Sequence, residues 1–191
     1  MAQFNRAVIF SGHMIDPPGR TPRRFPVECV PVVTESIQRQ LAEWGTGPQT
    51  LAICGGAPGS DTLFAEACLG RGVHVRLLLP FSIENFWGEV FKGTSAQWGH
   101  QFEALLPRCE VLCQPNCLGP LPPGVTAYER NNLWILDHAR SQLPRDSISA
   151  LLVWDQQETG DGPGGAADFA ARAADVLREI VIINPTELGC C

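Results

Sequence analysis

The chain has 191 residues, a length that suits one compact domain. Hydrophobic residues make up 45% of the sequence, enough for a packed core, which excludes general disorder. The 20 acidic residues exceed the 14 basic ones, and no stretch is rich enough in Lys and Arg to neutralise a run of phosphates, so we expect no nucleic-acid partner. No apolar run reaches the roughly 18–20 residues of a membrane span, and residues 1–11 lack the pattern of a signal peptide. We therefore expect a cytoplasmic protein without a membrane partner.

Short apolar runs alternate with amphipathic stretches along the whole chain. The predicted strands are Ala7–Phe10, Thr50–Cys54, Val73–Leu79, Glu110–Cys113, Ser149–Trp154 and Glu179–Ile183. The predicted helices are Val32–Trp44, Thr62–Leu69, Ile83–Phe91, Gln97–Leu106, Tyr128–Gln142 and Ala166–Leu177, and a loop is predicted from Pro115 to Thr126. Strands separated by helices indicate βαβ units and a parallel sheet. The sequence thus predicts an α/β protein, a Rossmann-like three-layer α/β/α sandwich of about six mostly parallel strands, with residues 1–191 in one domain.

The eight cysteines are an even number, which invites a disulfide framework. The size of the core and the lack of a signal peptide argue against one. Cys109, Cys113 and Cys117 recur every four residues, but neighbouring prolines interrupt any helix that would align them, so we expect no metal. Residues 190–191 are predicted to form a mobile tail. No cofactor is expected.

Ligands of parallel sheets bind beyond the carboxyl ends of the strands, so the loops that follow the strands are the places to inspect. After the first strand come Ser11, Gly12 and His13, with Arg24 downstream. Gly12 permits close approach of the backbone, His13 can exchange a proton, and arginine can bind phosphate oxygens. An exposed loop with solvated charges is the alternative.

A glycine-rich turn follows the second strand and opens a helix. It contains Gly55, Gly56, Gly59, Ser60 and Asp61. Backbone N–H groups at such a helix N-terminus favour an anion, which predicts a phosphate site. The turn is neither a Walker A loop nor a strict G-x-G-x-x-G. Asp61 would repel a phosphate that it faced, so it caps the helix or holds a ribose hydroxyl in this interpretation. An ordinary capped turn is the alternative.

Two further loops carry candidate residues. Glu129 and Arg130 open the long helix, where Glu129 is a candidate general base or ribose ligand and Arg130 a candidate phosphate ligand. Capping of that helix by a solvated first turn is the alternative. Asp155 begins the second glycine-rich loop, which lies between a strand and a helix and continues through Asp161, Gly162, Gly164 and Gly165. A flexible loop whose glycines only turn the chain is the alternative.

The segments 54–61, 64–67, 79–81, 154–155 and 160–165 together resemble the SLOG superfamily, and most of all the SLOG-like domains of bacterial signalling proteins. That superfamily includes the Lonely Guy phosphoribohydrolases and DprA-like proteins. The resemblance implies a Rossmann-like fold that binds a nucleotide, with phosphate held by the glycine loops.

One departure from the Lonely Guy motif bears on catalysis. Pro163, Gly164 and Gly165 match the phosphate-holding part of Pro-Gly-Gly-x-Gly-Thr-x-x-Glu, whereas the position of its catalytic glutamate holds Ala171. The resemblance therefore implies a nucleotide sensor more than an enzyme.

Three functional hypotheses follow. The first is a domain that binds and senses a nucleotide or a nucleotide-derived ligand. The second is an N-glycoside hydrolase or transferase acting on a nucleotide, in which Glu129 or Asp161 stabilises the developing oxocarbenium charge or activates water. The third is a protein-interaction module with a vestigial pocket, and self-association is compatible with all three. In the first hypothesis the ligand-binding residues are Ser11, Gly12, His13, Arg24, Gly55, Gly56, Gly59, Ser60, Asp61, Arg130, Asp155, Gly162, Gly164 and Gly165.

Overall fold

A computed structural model of the chain describes residues 4–157, 162–174 and 177–190. The strands in these ranges are Arg6–Gly12 (β1), Thr50–Cys54 (β2), His74–Leu79 (β3), Glu110–Cys113 (β4), Ile148–Val153 (β5) and Glu179–Ile183 (β6). The helices are Val30–Glu43 (α1), Ser60–Gly70 (α2), Ile83–Val90 (α3), Ala96–Leu105 (α4), Gln114–Cys117 (α5), Ala127–Gln142 (α6) and Ala166–Ala173 (α7). Two predictions were wrong in detail: α5 begins at Gln114 and extends into the loop predicted from Pro115, and α7 ends at Ala173, before the predicted Leu177.

All six strands lie in one parallel sheet with the order β4-β3-β2-β1-β5-β6. The chain first builds outward from β1 to β4, and then crosses to the other side of β1 to add β5 and β6. This confirms the predicted Rossmann-like α/β fold. It also places a change of direction between β1 and β5.

Two hydrophobic cores lie on the two faces of the sheet. Helices α1 to α4 cover one face, onto which Val8 and Phe10 of β1 point. Helices α6 and α7 cover the other face, onto which Ala7 and Ile9 point. Successive side chains of a strand alternate between faces, so a strand that is apolar at every position is buried on both sides.

Helix α1 shows how the apolar spacing sets a helix. Val33, Ile37 and Leu41 are fully buried and recur every four residues along one side. Pro31 lies in the first turn, where its missing N–H breaks no helical hydrogen bond. No helix in the described ranges has both the length and the apolar character needed to cross a membrane.

A disulfide joins Cys29, just before α1, to Cys190 near the C-terminus. The expectation of no disulfide was therefore wrong for this pair, as was the expectation of a mobile tail at Cys190; Cys191 lies outside the described residues. Helix α1 contacts β6, so the residues that follow β6 return to the start of α1 and bring the two Cα atoms to 5.2 Å. Because disulfides are typical of oxidising compartments, this bond does not support the predicted cytoplasmic location, which stays a prediction.

Candidate functional site

A cavity of about 480 Å³ lies at the carboxyl edge of the sheet. It opens where the strand order changes direction at β1, which is the usual ligand position in open parallel sheets. Its size is in the range of about 300–1,000 Å³ that is typical of small-molecule sites. Its walls come from segment 10–15, from the turn after β2, from the first half of α6 and from residues 163–166.

The cavity brings together seven of the predicted site residues from loops that are distant in sequence. These are Ser11, Gly12, His13, Gly55, Asp61, Gly164 and Gly165. Eight other predicted residues are described but do not line it: Arg24, Gly56, Gly59, Ser60, Glu129, Arg130, Asp155 and Gly162. Asp161 lies outside the described residues.

The first glycine-rich turn uses its backbone donors within the protein. The N–H of Gly55 donates to Asp61 Oδ1 at 2.9 Å, and Gly56 also donates to this carboxylate. Burial raises the pKa of Asp61 to about 7, although these backbone hydrogen bonds act to lower it. Since Asp61 lines the cavity, this wall offers a carboxyl group to a ligand rather than a ring of N–H donors.

Gly59 and Ser60 hold the segment after β1 against the start of α2. Ser60 donates to the carbonyl oxygen of His13 from its hydroxyl at 2.7 Å and from its N–H at 3.3 Å. Gly59 has φ +109° and pairs with Met14, and a Cβ there would collide with the backbone N of Ile15. These two residues shape the cavity by fixing the segment that includes His13.

His13 contacts a buried ion pair between Arg24 and Asp155. The Nε2 atom of His13 is 3.0 Å from Asp155 Oδ1, and the Nε atom of Arg24 is 3.3 Å from Asp155 Oδ2. The backbone N–H groups of Arg24 and Phe25 donate to Asp16 Oδ2 at 2.8 and 3.0 Å. Arg24 therefore pairs with a protein carboxylate, and the group joins the ends of β1 and β5.

The second glycine-rich loop places the N-terminus of α7 on the cavity. Gly164 has φ +94°, and a Cβ there would collide with the backbone of residues 128–129 at the start of α6. Gly165 is the N-cap of α7, and no described side chain caps this helix. Ala166 lines the cavity. The uncapped N–H groups and the positive end of the helix dipole provide the chemistry of an anion site.

Glu129 and Arg130 are engaged elsewhere. Glu129 forms a capping box with Thr126: its carboxylate accepts from the N–H of Thr126 at 3.0 Å, and its own N–H donates to Thr126 Oγ1 at 3.1 Å. Arg130 donates to Gln114 Oε1 at 2.6 Å and to the carbonyl oxygens of residues 119–120. The geometry favours capping and loop anchoring for these two side chains.

Two asparagines of α6 line the cavity, and sequence reasoning assigned them no role. Asn131 is 6% exposed; its Nδ2 donates to the carbonyl oxygen of Leu78 at 2.8 Å, and its Oδ1 accepts from Gln114. Asn132 is 5% exposed and faces α7. The sequence does contain a signal for these two asparagines. Asn131 lies four residues and Asn132 three residues before Ile135, which places them on the buried side of the helix, where an apolar residue is usual.

The fold and the cavity define a Rossmann-like three-layer α/β/α protein with a candidate ligand site at its switch point. No family model matches the chain, and no curated protein matches it. A solved structure described as the X-ray structure of TM1055, a structural genomics target, is similar at 16% identity with a TM-score of 0.40. The match covers 87% of this chain and 81% of that one.

Proposed function

We propose that the chain binds a nucleotide or a nucleotide-derived ligand in the switch-point cavity. The observation that carries the proposal is the uncapped N-terminus of α7, which the loop at Gly164 and Gly165 places on a cavity of about 480 Å³. In this arrangement the phosphate binds at residues 164–166. The SLOG resemblance supports the same assignment, because Pro163, Gly164 and Gly165 carry its phosphate-holding motif and line the cavity.

The remaining walls suit the rest of a nucleotide. Phe86 and Tyr128 are among the lining residues, and aromatic side chains can stack on a base. Asp61 supplies an acceptor for a sugar hydroxyl, in keeping with one of the two roles inferred from its sequence position. Arg20 also lines the cavity and adds a positive side chain, whose Nε is 3.6 Å from Asp16 Oδ1. This arrangement assigns the phosphate to the second glycine-rich loop and not to the first.

Thermal unfolding against nucleoside monophosphates, cyclic nucleotides, NAD and ADP-ribose tests the proposal. A ligand at 100 times its Kd stabilises the fold by about 2.7 kcal/mol, which raises the midpoint of a domain of this size by roughly 5–10 °C. Chromatography of each sample then shows whether the ligand is intact. A shift with intact ligand supports a binding domain. No shift with any nucleotide refutes the proposal and favours the interaction module.

The substitution Gly165→Asp tests the phosphate position, with Gly165→Asn as the matched control. Both side chains are good N-caps and have nearly the same volume, so either variant gives α7 a similar side-chain cap. Only the aspartate brings a negative charge to the helix N-terminus. We expect Gly165→Asp to lose at least ten times more affinity for the phosphorylated ligand than Gly165→Asn. Equal losses would place the phosphate elsewhere.

One observation favours an enzyme as the second candidate. Asp61 is a buried carboxyl group on the cavity with its pKa raised to about 7, as a general acid or base at neutral pH requires. An N-glycosidase would therefore use Asp61 in preference to Glu129, whose carboxylate is held in the capping box. Release of free base that disappears in Asp61→Asn and persists in Glu129→Gln would support this candidate.

A further inference from the structure

The side-chain amide of Asn132 is held in one orientation by α7. Its Nδ2 donates to the carbonyl oxygen of Gly165 at 3.2 Å and to Asp168 Oδ2 at 2.9 Å. Both partners are oxygens that accept hydrogen bonds. Asp168 also forms an ion pair with Arg172, whose Nε is 2.7 Å from Asp168 Oδ1. The nitrogen must therefore face α7, since an oxygen in its place would be repelled by both partners.

This orientation leaves Oδ1 as the polar atom that Asn132 can offer to the cavity. Oδ1 has no hydrogen-bond partner among the described residues, although the side chain is 5% exposed and lines the cavity. Among the described residues the fully buried side-chain atoms that lack a partner do not include this oxygen, so it keeps some accessible surface and a donor on a bound ligand can reach it. The neighbouring Asn131 differs, because both ends of its amide are paired within the protein.

The position of Asn132 identifies the part of a ligand that it would contact. Its nitrogen binds the N-cap residue of α7, so its oxygen lies beside the helix N-terminus that we assign to the phosphate. In a 5′-nucleotide the group next to the phosphate is the sugar, whose donors are hydroxyls. Asp61 provides a second acceptor on the same cavity. The lining thus combines a donor site for phosphate with two acceptors for hydroxyls.

We propose that Asn132 Oδ1 accepts a hydrogen bond from a ribose hydroxyl, so that the cavity selects ribonucleotides over their deoxy counterparts. The inference rests on the proposed function and deepens it by naming the sugar. Asn132 is a specificity-determining residue in this role, because its contact distinguishes ligands that share the same phosphate and base.

Isothermal titration of ribonucleoside 5′-monophosphates and of their 2′-deoxy and 3′-deoxy counterparts tests the proposal. For the wild type we expect the loss of one of the two hydroxyls to weaken binding by about 3- to 10-fold, the usual effect of one neutral hydrogen bond. Asn132→Ala should bring this ratio close to one. Asn131→Ala, the matched control on the same helix, should keep the wild-type ratio even where overall affinity falls.

The outcomes separate this proposal from the one on which it rests. Equal wild-type affinity for ribo and both deoxy forms overturns the sugar selection and leaves nucleotide binding in place. A wild-type preference that survives in Asn132→Ala overturns the role of Asn132. Failure of the wild type to bind any monophosphate overturns nucleoside monophosphate binding itself, and the sugar selection with it. The wild-type ratio decides the sugar selection even if Asn132→Ala does not fold.

Discussion

Replacement of Asp61 by Asn should change how the stability of the protein depends on pH. The ordinary pKa of this carboxyl group is 3.8, and burial raises it to about 7 in the folded protein. Between these values the folded state keeps a proton that the unfolded chain has released, so stability falls as the pH rises through this window. Asparagine cannot ionise, and its oxygen can still accept from the N–H of Gly55.

The size of the effect follows from the shift. One pKa unit corresponds to about 1.4 kcal/mol, so the raised pKa of Asp61 lowers the free energy of unfolding by about 4 kcal/mol at pH 8 and by about 2 kcal/mol at pH 5. The free energy of unfolding of Asp61→Asn, relative to wild type, should therefore rise by about 2–3 kcal/mol between pH 5 and pH 8.

Urea denaturation of both proteins at the two pH values measures this difference. Comparison with wild type at each pH removes the contributions of all other titrating groups, because they are common to both proteins. A difference between the two proteins that is the same at pH 5 and pH 8 would refute the argument. It would show that Asp61 ionises in the fold as it does in the unfolded chain.

Three more predictions follow from the contacts. Gly12→Ala should destabilise the fold by about 1–3 kcal/mol, since its Cβ would collide with the buried Ser60 Oγ at the carboxyl end of β1; thermal unfolding measures this, and an unchanged midpoint would contradict it. Glu129→Ala should cost about 0.3–1.5 kcal/mol, because its carboxylate no longer accepts from the N–H of the N-cap residue Thr126, whereas Glu129→Gln keeps the capping box; denaturation compares the two, and equal losses would argue against this role. The Cys29–Cys190 disulfide spans a sequence separation of 161, so reduction or Cys29→Ser should destabilise by up to about 5 kcal/mol; a wild type that unfolds identically with and without dithiothreitol would show that the bond does not form.

Part of the candidate site could be recognised from the sequence because its signal is local. Glycine-rich turns between strands and helices are visible in the residue order, and parallel strands end at a common edge, so the loops that meet at the cavity could be predicted. The role of Glu129 was visible too, since Thr126 and Glu129 have the spacing of a capping box. Capping is accordingly the alternative to a catalytic role for Glu129 that the sequence offers, and the structure has the capping box.

The sequence by itself determined the strands, the helices and the parallel sheet, because burial imposes a period of about two on strands and 3.6 on helices. Tertiary structure alone decided which polar atoms remain for a ligand. The Ser60 hydroxyl donates to the carbonyl oxygen of His13, 47 positions away in the chain. The amide of Asn132 is oriented by acceptors on Gly165 and Asp168, 33 and 36 positions away. The Cys29–Cys190 pair likewise depends on where β6 lies in the sheet. Hydrogen bonds and disulfides require atoms to be within a few ångströms, and for residues so far apart in the chain the packing of the sheet and helices sets that distance.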